Sequence, residues 1–169
     1  MTDPIIVVPY DPEWAALFRQ MGERLRGALG DVALRIDHVG STSIPGLAAK
    51  PVVDVQVSVA SLDPLDAYRL PLESAGLVFR AGNPDRTKRY FREAPGHRRT
   101  HVHVRQVGTL NEQLTLVFRD HLRAHPEDAL RYAEFKYELA GRYRDHREGY
   151  TEAKSPIVWE ILQKATRWS

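Results

Sequence analysis

The alternating segment at residues 52–59, VVDVQVSV, is the feature that most limits how this chain folds. Valine and polar side chains alternate along it, a pattern typical of a β-strand with one apolar and one polar face. We therefore predict a strand with valines on one face and Asp54, Gln56 and Ser58 on the other. Because an unpaired buried charge costs free energy, Asp54 needs a partner. That partner is either an arginine or lysine across the sheet or a divalent cation.

A turn rich in glycine and hydroxyl groups precedes this strand. A predicted strand over residues 34–39 leads directly into Gly40-Ser41-Thr42-Ser43, and the prolines at 45 and 51 make residues 40–51 a loop with at most one helical turn. Glycine lets a ligand approach the backbone closely, and successive N–H and hydroxyl groups suit phosphate oxygens. The spacing is not that of a Walker A loop. The segment is either a phosphate-binding turn or an ordinary Gly/Ser turn.

The remaining elements are predicted from hydrophobic spacing and from residues that start or stop helices. Strands are expected at residues 77–80, 89–93 and 100–105, with a short extended segment at residues 5–9. Together with the helices, they predict an α/β (α+β) protein, with a mixed β-sheet flanked by helices and a helical C-terminal part. The helices are expected to begin at Asp11-Pro12, Asp63-Pro64, Asn111, Pro126 and Ser155-Pro156, the last of them reaching Trp168.

Length and composition limit the organisation of the chain. Its 169 residues are enough for one domain with a real core, so a single domain over residues 1–169 is expected. No apolar run approaches the roughly 20 residues that cross a bilayer, and no secretory pattern is visible at the N-terminus. The sequence has no cysteine, which excludes disulfides and thiolate metal sites. We therefore expect a cytoplasmic protein with no membrane partner.

Positive charge is concentrated between residues 86 and 105. Seven lysines and arginines lie there against one acid, Glu93. Such a density attracts an anionic ligand, although a solvated, arginine-rich hairpin has the same composition. On the predicted strand at 100–105, His101 and His103 project from one face. They can share a metal or a phosphate, or they can simply pack against their neighbours.

One long segment and four shorter ones match a known pattern. The long one is HVGSTSIPGLAAKPVVDV at residues 38–55, and the others are RYFR at 89–92, HVHV at 101–104, FRDHLR at 118–123 and YTEAKSP at 150–156. Together they resemble the GrpB family over essentially the whole chain, a family also found fused to dephospho-CoA kinase. The resemblance implies a polymerase-β-like nucleotidyltransferase fold. In that fold such a turn holds nucleotide phosphates, and carboxylates on neighbouring strands hold divalent metals.

The resemblance, together with the residue types, predicts a set of site residues. Metal binding and catalysis are assigned to Asp54, His101 and His103, with Mg²⁺, Mn²⁺ or Zn²⁺ as the ion and a nucleoside triphosphate as the expected substrate. Lys154 is included because the predicted helix start at Ser155-Pro156 offers free N–H groups to an anion. The predicted phosphate-binding residues are Gly40, Ser41, Thr42, Ser43, Lys50, Arg92 and Lys154.

One departure from the wider superfamily leaves the reaction open. Active members carry a second acid two positions after the first and a third on a later strand, whereas this chain has Gln56 and no acid in the HVHV segment. Either one metal replaces two, or the ligand's phosphates complete the shell, or the site only binds. Two hypotheses follow: a metal-dependent nucleotidyltransferase of unknown acceptor, and a catalytically degenerate module that binds a nucleotide or RNA.

A few single residues bear on the choice of partner and of reaction. Nucleic acid is the less favoured partner, because a net charge of +2 is low and no RNA-binding signature is present, although Tyr90 and Phe91 could stack on bases. A histidine-triad hydrolase is disfavoured, because the third alternating position is Arg105. His38 is expected to be buried with its hydrogen bonds satisfied, and Asp120 to pair with an arginine.

Overall fold

The computed structural model describes residues 4–167. Within them the chain forms five α-helices and five β-strands, with single 3-10 turns at Gly30–Val32 and Ser41–Ser43. In chain order the elements are α1 (Glu13–Leu29), β1 (Arg35–Val39), β2 (Val53–Val59), α2 (Asp66–Ser74), β3 (Leu77–Phe79), β4 (Arg89–Glu93), β5 (Thr100–Gln106), α3 (Leu110–Ala124), α4 (Pro126–Arg142) and α5 (Arg147–Ala165).

The strands form one mixed sheet in the order β1-β2-β5-β4-β3. The neighbours β2 and β5 run parallel, and the other neighbouring pairs are antiparallel. Every predicted strand is found within one residue of its expected ends, because alternation of apolar and polar residues is a local property of the chain. The predicted α/β class with a mixed sheet flanked by helices is therefore confirmed.

The valine face of β2 lies at the centre of the main core. Val55 and Val57 have no exposed surface, as the alternation predicts. Helices α1 and α2 cover this face and contribute Trp14, Leu25 and Leu72 to the same buried cluster. Full burial of each such aliphatic side chain contributes about 1.5–3 kcal/mol, so this face fixes the position of the strand.

The opposite face of β2 is polar and only partly covered. Gln56 and Ser58 are fully buried. The Ser58 hydroxyl donates to Oε1 of Glu112 on α3 at 2.9 Å, and the Gln56 amide donates to the Glu112 carbonyl at 3.2 Å. Asp54, two residues earlier on the same face, keeps 27% of its side chain exposed. Helix α3 therefore covers the polar face of β2 at Gln56 and Ser58, whereas the side chain of Asp54 stays partly exposed to solvent.

The three helices α3, α4 and α5 form the predicted helical C-terminal part. Their apolar side chains pack around the loop between β1 and β2, so that Ile44 and Leu47 share a buried cluster with Leu122, Tyr132 and Ile161. The glycine–hydroxyl turn is therefore held between the sheet and these helices. No helix in residues 4–167 is long and apolar enough to cross a membrane.

The start of the last helix differs from the prediction. Helix α5 begins at Arg147, well before Ser155, and Pro156 lies inside it. Proline leaves the carbonyl of Glu152 without its helical N–H partner, but both residues are exposed and water can bond that oxygen. The helix is capped by His146, whose Nδ1 accepts the backbone N–H three residues later at 2.9 Å.

Smaller differences concern the other element ends. Helix α2 begins at Asp66, three residues later than expected. Asn111 lies inside the first turn of α3 and does not cap it, because the chain becomes helical one residue earlier. Residues 5–9, expected as a short extended segment, contribute one isolated bridge, between Val8 and Ala49. Trp168, expected in the last helix, lies outside the described residues.

Candidate functional site

The turn after β1 brings backbone directly against Asp54. Gly40 has φ +71° and ψ −177°, a conformation that side-chain-bearing residues rarely adopt. A Cβ on Gly40 would lie 2.7 Å from Oδ2 of Asp54, closer than real contacts allow. The single helical turn expected in this loop is the 3-10 turn Ser41–Ser43. Glycine is therefore required here both for its backbone conformation and for its lack of a side chain.

Two arginines of the FRDHLR segment on α3 hold the ends of this turn. Arg119 Nη1 donates to the carbonyl of His38 at 3.2 Å, and Arg123 Nε donates to the carbonyl of Ser43 at 2.9 Å. Asp120, as predicted, pairs with an arginine, accepting from Arg119 Nε at 2.8 Å. Arg119 and Arg123 therefore position the turn.

His38 has the structural role predicted for it. It is buried, stacks on Phe18 with ring centroids 4.7 Å apart, and shares a hydrogen bond with the Thr42 hydroxyl at 2.9 Å. Burial, with the nearby guanidinium of Arg123, lowers the pKa of His38 to about 4. The ring is therefore neutral at physiological pH and supports the turn from the α1 side.

Asp54 meets both histidines of the HVHV segment. The parallel register sets Asp54 beside His101, and Gln56 beside His103. Oδ1 of Asp54 lies 3.2 Å from Nδ1 of His101 and 3.0 Å from Nε2 of His103. Burial opposes ionisation of Asp54, but the two imidazole hydrogen bonds outweigh it and hold the pKa of the carboxyl below its usual range. The partners are imidazoles, not the arginine or lysine considered from sequence.

The hydrogen bonds also assign the ring protons. Lys88 Nζ lies 3.0 Å from Nδ1 of His103. An ammonium only donates, so Nδ1 accepts and Nε2–H of His103 donates to Asp54. In His101 the Nδ1–H faces Asp54, and its Nε2 is buried with no hydrogen-bond partner. The lone pair at Nε2 of His101 is therefore without a hydrogen-bond partner.

A cavity of about 570 Å³, here called the anion cavity, opens beside this cluster. Among the described residues that line it, Asp54 is the one acid, and six are lysine or arginine. Two of these guanidinium groups, on Arg92 and Arg147, have a buried Nε without a hydrogen-bond partner. The cavity therefore carries a strong excess of positive charge with unused donors. The six basic residues are Lys50, Lys88, Arg92, Lys136, Arg147 and Lys154.

Three of the lysines form a group around two tyrosine rings. Lys50 and Lys154 lie 5.3 and 4.7 Å from the ring centre of Tyr150, and Lys136 lies 4.8 Å from that of Tyr132. Lys136 is only 2% exposed and donates to a backbone carbonyl. Burial and the neighbouring ammonium groups lower the pKa of Lys136 to about 7 and that of Lys154 to about 8. An anion placed among them would relieve this repulsion.

The structure brings together most of the predicted site residues. Gly40, Ser41, Thr42, Lys50, Arg92 and Lys154 line the anion cavity with Asp54, His101 and His103. Ser43 lies outside it, and its hydroxyl donates to the carbonyl of Gly40 within the turn. Lys154 reaches the cavity from the middle of α5, because no helix begins at Ser155, so the free N–H groups expected there do not exist.

Sequence reasoning missed Lys88, Lys136 and Arg147 as cavity residues. A signal existed for Lys136, which lies four residues after Tyr132 on the apolar side of α4. A lysine at such a position is buried with its charge, or lies at the edge of a cavity. The position of Lys88 in the cavity depends on the conformation of the loop before β4, and that of Arg147 depends on where α5 begins. Neither feature is indicated by a local sequence pattern.

Comparison with known proteins agrees with the five matching segments. The family described as GrpB protein matches residues 4–164. A UPF0157 protein of Pseudomonas aeruginosa is 43% identical over 170 residues, covering 96% of this chain and 68% of that protein. A UPF0157 protein of Halalkalibacterium halodurans is 38% identical and covers 95% and 82%. A dephospho-CoA kinase of Mycolicibacterium paratuberculosis is 33% identical and covers 98% and 47%.

A solved structure is similar over nearly its whole length. The crystal structure of conserved protein GrpB from Enterococcus faecalis has a TM-score of 0.85 against this chain at 33% identity. The match covers 95% of this chain and 96% of that one. Sequence and architecture therefore agree over the same residues, and the chain belongs to the GrpB family.

Proposed function

We propose that the anion cavity binds a nucleoside triphosphate and that the chain transfers its nucleotidyl group to an acceptor with the help of a divalent ion. The observation that carries this proposal is the contact of Asp54 with His101 and His103 at the wall of a cavity lined by six lysine and arginine side chains. A polyphosphate is the ligand that such a charge distribution favours, because it neutralises several cations at once. The name of the relative dephospho-CoA kinase supports a ligand with phosphate groups.

The donor atoms fit a divalent ion. One ligand atom from each of Asp54, His101 and His103 can be chosen so that all three lie within 4.8 Å of one another. Imidazole and carboxylate together favour Zn²⁺ or Mn²⁺ over Mg²⁺, which prefers oxygen ligands. When bound, the ion would supply charge neutralisation at the phosphates.

The two histidines are suited to different roles. A neutral imidazole that binds an ion through one nitrogen carries its proton on the other, so His101 cannot hold an ion at Nδ1 and accept a proton at Nε2 at once. The lone pair at its Nε2 has no hydrogen-bond partner, so we assign proton transfer to His101. Asp54 and His103, with oxygens of the phosphates, would then hold the ion.

The proposed chemistry balances with these groups. An acceptor hydroxyl attacks the α-phosphorus, the bond from that phosphorus to the bridging oxygen breaks, and pyrophosphate leaves. The hydroxyl proton passes to Nε2 of His101, and the resulting imidazolium is stabilised by Asp54 across Nδ1. Lysines of the cavity stabilise the charge that develops on the departing pyrophosphate.

A binding module without turnover is the second candidate. The observation that favours it is the position of Gln56, which is fully buried and bonded to Glu112 rather than open to the cavity. The second acid of active superfamily members therefore has no replacement at that position. RNA stays an alternative ligand of such a module.

Pyrophosphate release separates the two candidates. The chain is incubated with each nucleoside triphosphate and Mg²⁺, Mn²⁺ or Zn²⁺, with Asp54→Asn, His103→Ala and His101→Ala as variants. The proposal expects release by the unaltered chain, loss of ion binding in the first two variants, and loss of turnover with retained ion binding in His101→Ala. Asp66→Asn, at an exposed carboxylate on α2, is the matched control.

Binding of nucleotide without pyrophosphate release from the unaltered chain would support the module and refute the enzyme. If the unaltered chain binds no nucleotide, both candidate functions are refuted.

A further inference from the structure

A second cleft continues from the anion cavity on the side of α3 and α5. It has a volume of about 590 Å³, and Gly40, Phe118, Thr151 and Lys154 line both spaces. The two therefore meet at the glycine turn and at a cavity lysine. A ligand with phosphate groups in the first space has its non-phosphate end directed either to solvent or into the second.

The walls of this second space, here called the apolar cleft, are built by rows on two helices. On α3 the row contains Leu114 and Phe118, four residues apart, and on α5 it contains Val158, Trp159 and Leu162. Residues three and four apart share a helix face, so these apolar side chains line the cleft together, with the hydroxyl groups of Thr115 and Ser155 beside them. Trp159 keeps 57% of its surface exposed, although it is among the largest apolar side chains. The cleft therefore offers uncovered aromatic surface beside a cationic cavity.

The third side of the cleft carries hydrogen-bonding groups. Arg105 Nη1 donates to the Thr87 hydroxyl at 3.0 Å, and Thr87 in turn donates to Oδ1 of Asp85 at 2.6 Å. The Nε of Arg105 is buried without a hydrogen-bond partner. A ligand with a flat apolar body and a hydrogen-bond acceptor at its edge matches this combination.

We infer that the apolar cleft binds the planar aromatic base of a nucleotide whose phosphates occupy the anion cavity. This inference rests on the proposed function for the identity of the ligand. The geometry of the cleft indicates where the base of that ligand binds. The base stacks on Trp159, its edge accepts from Arg105, and the phosphates pass Gly40 and Lys154 into the cavity.

Inorganic triphosphate and nucleotides test the two spaces separately. Triphosphate reports on the anion cavity alone, and the difference between a nucleoside triphosphate and triphosphate reports on the cleft. Affinities of inorganic triphosphate, ATP, GTP, CTP and UTP are measured by calorimetry at fixed salt and Mn²⁺. At least one nucleotide is expected to bind about tenfold more tightly than triphosphate, the size typical of one stacked base.

The variant Trp159→Ala is expected to remove that tenfold advantage and to leave the affinity for triphosphate unchanged. Trp159→Phe keeps an aromatic face and is expected to retain most of it. The matched control is Tyr137→Ala, because Tyr137 is a half-exposed aromatic residue on α4 that lines neither space.

The outcomes distinguish this inference from the proposed function. If triphosphate binds but no nucleotide binds more tightly, or if Trp159→Ala weakens both ligands equally, the cleft does not hold the base while the anion cavity stands. If Trp159→Ala changes only the oligomeric state in sedimentation, the cleft is an interface between copies of the chain and the inference is wrong.

If triphosphate does not bind, both proposals fail. Tight, Trp159-dependent nucleotide binding without turnover supports the cleft and refutes the enzyme.

Discussion

Lys88 and His103 are joined by a contact of 3.0 Å between Nζ and Nδ1, and this contact sets the state of the candidate ion site. Because the ammonium can only donate, it keeps the ring proton of His103 on Nε2, the nitrogen that faces Asp54. An ion at that nitrogen must displace the proton, and Nδ1 must then give up its contact with a charged Lys88. The histidine of a usual metal site has the reverse arrangement, with its second nitrogen donating to a carboxylate or carbonyl.

Replacing Lys88 by methionine is therefore expected to tighten the binding of Zn²⁺ alone by about tenfold, in the range found for groups that orient metal ligands. Zn²⁺ affinity is measured by competition with a chromophoric chelator in the absence of nucleotide. The control is Lys50→Met, which removes a cation from the same cavity but one that lies over Tyr150 rather than on an imidazole. Equal gains in both variants would show that charge removal alone matters and would contradict the role of the contact.

The buried amide of Gln56 leads to a second prediction. Its Nε2 donates to the Glu112 carbonyl, and its Oε1 is buried without a partner. Gln56→Glu adds an acid two positions after Asp54 but sets a carboxylate against that carbonyl in a buried site. We expect it to lower the free energy of unfolding by about 3 kcal/mol and to give no gain in ion affinity.

Chemical denaturation and Zn²⁺ titration measure these two quantities. Gln56→Met, of similar volume, removes both polar atoms and is expected to stay within about 1 kcal/mol of the unaltered chain. A Gln56→Glu variant that binds Zn²⁺ more tightly would show that the position does face the ion site.

Much of the fold follows from local patterns in the sequence. The alternation in β2 predicts both the strand and its two faces, because one face must be buried and the side chains of a strand alternate. The start of α5 is not predictable in this way. Pro156 normally indicates a helix start, but here α5 already includes Tyr150, which is buried against Leu139 and Ala140 of α4.

The candidate site is only partly predictable from the sequence, because tertiary packing decides which residues come together. Asp54, His101 and His103 are predicted because each pattern places polar side chains on one strand face. That they meet depends on the parallel register of β2 with β5, which brings together residues 47 and 49 positions apart. Lys136 comes from a helix still further along the chain. Its spacing from Tyr132 indicates a buried or cavity-edge lysine, but that it lies in this particular cavity depends on tertiary packing.

Gly40 leads to a third prediction, because a side chain there meets Asp54. Gly40→Ala adds both backbone strain at φ +71° and a Cβ 2.7 Å from Oδ2 of Asp54. We expect the free energy of unfolding to fall by about 2 kcal/mol, and Zn²⁺ binding to be lost because the carboxylate must move. Gly46→Ala is the matched control, since Gly46 has φ +80° but open space around its Cβ position. Loss of Zn²⁺ binding in both variants would trace the effect to strain in the loop instead of to the contact with Asp54.

The buried lysine of α4 links stability, pH and ligand. The pKa of Lys136 is about 7 in the folded chain and has its ordinary value of 10.5 when the chain is unfolded. Between these values the unfolded state binds more protons, so the free energy of unfolding rises with pH across this window. The destabilisation is complete below pH 7 and absent above pH 10.5. Lys136→Met is expected to flatten this rise, which denaturation at a series of pH values measures.

Anion binding should reverse the shift in the same residue. A polyphosphate among Lys50, Lys136 and Lys154 favours the charged ammonium, so binding of inorganic triphosphate at about pH 8 is expected to take up protons. Calorimetry in two buffers of different ionisation enthalpy counts them, and Lys136→Met should lower the count. Lys164→Met, at a lysine that pairs with Asp128 outside the cavity, should leave it unchanged. Triphosphate binding with no proton uptake in the unaltered chain would mean that the anion does not reach Lys136, and the charge of the cavity would then need another explanation.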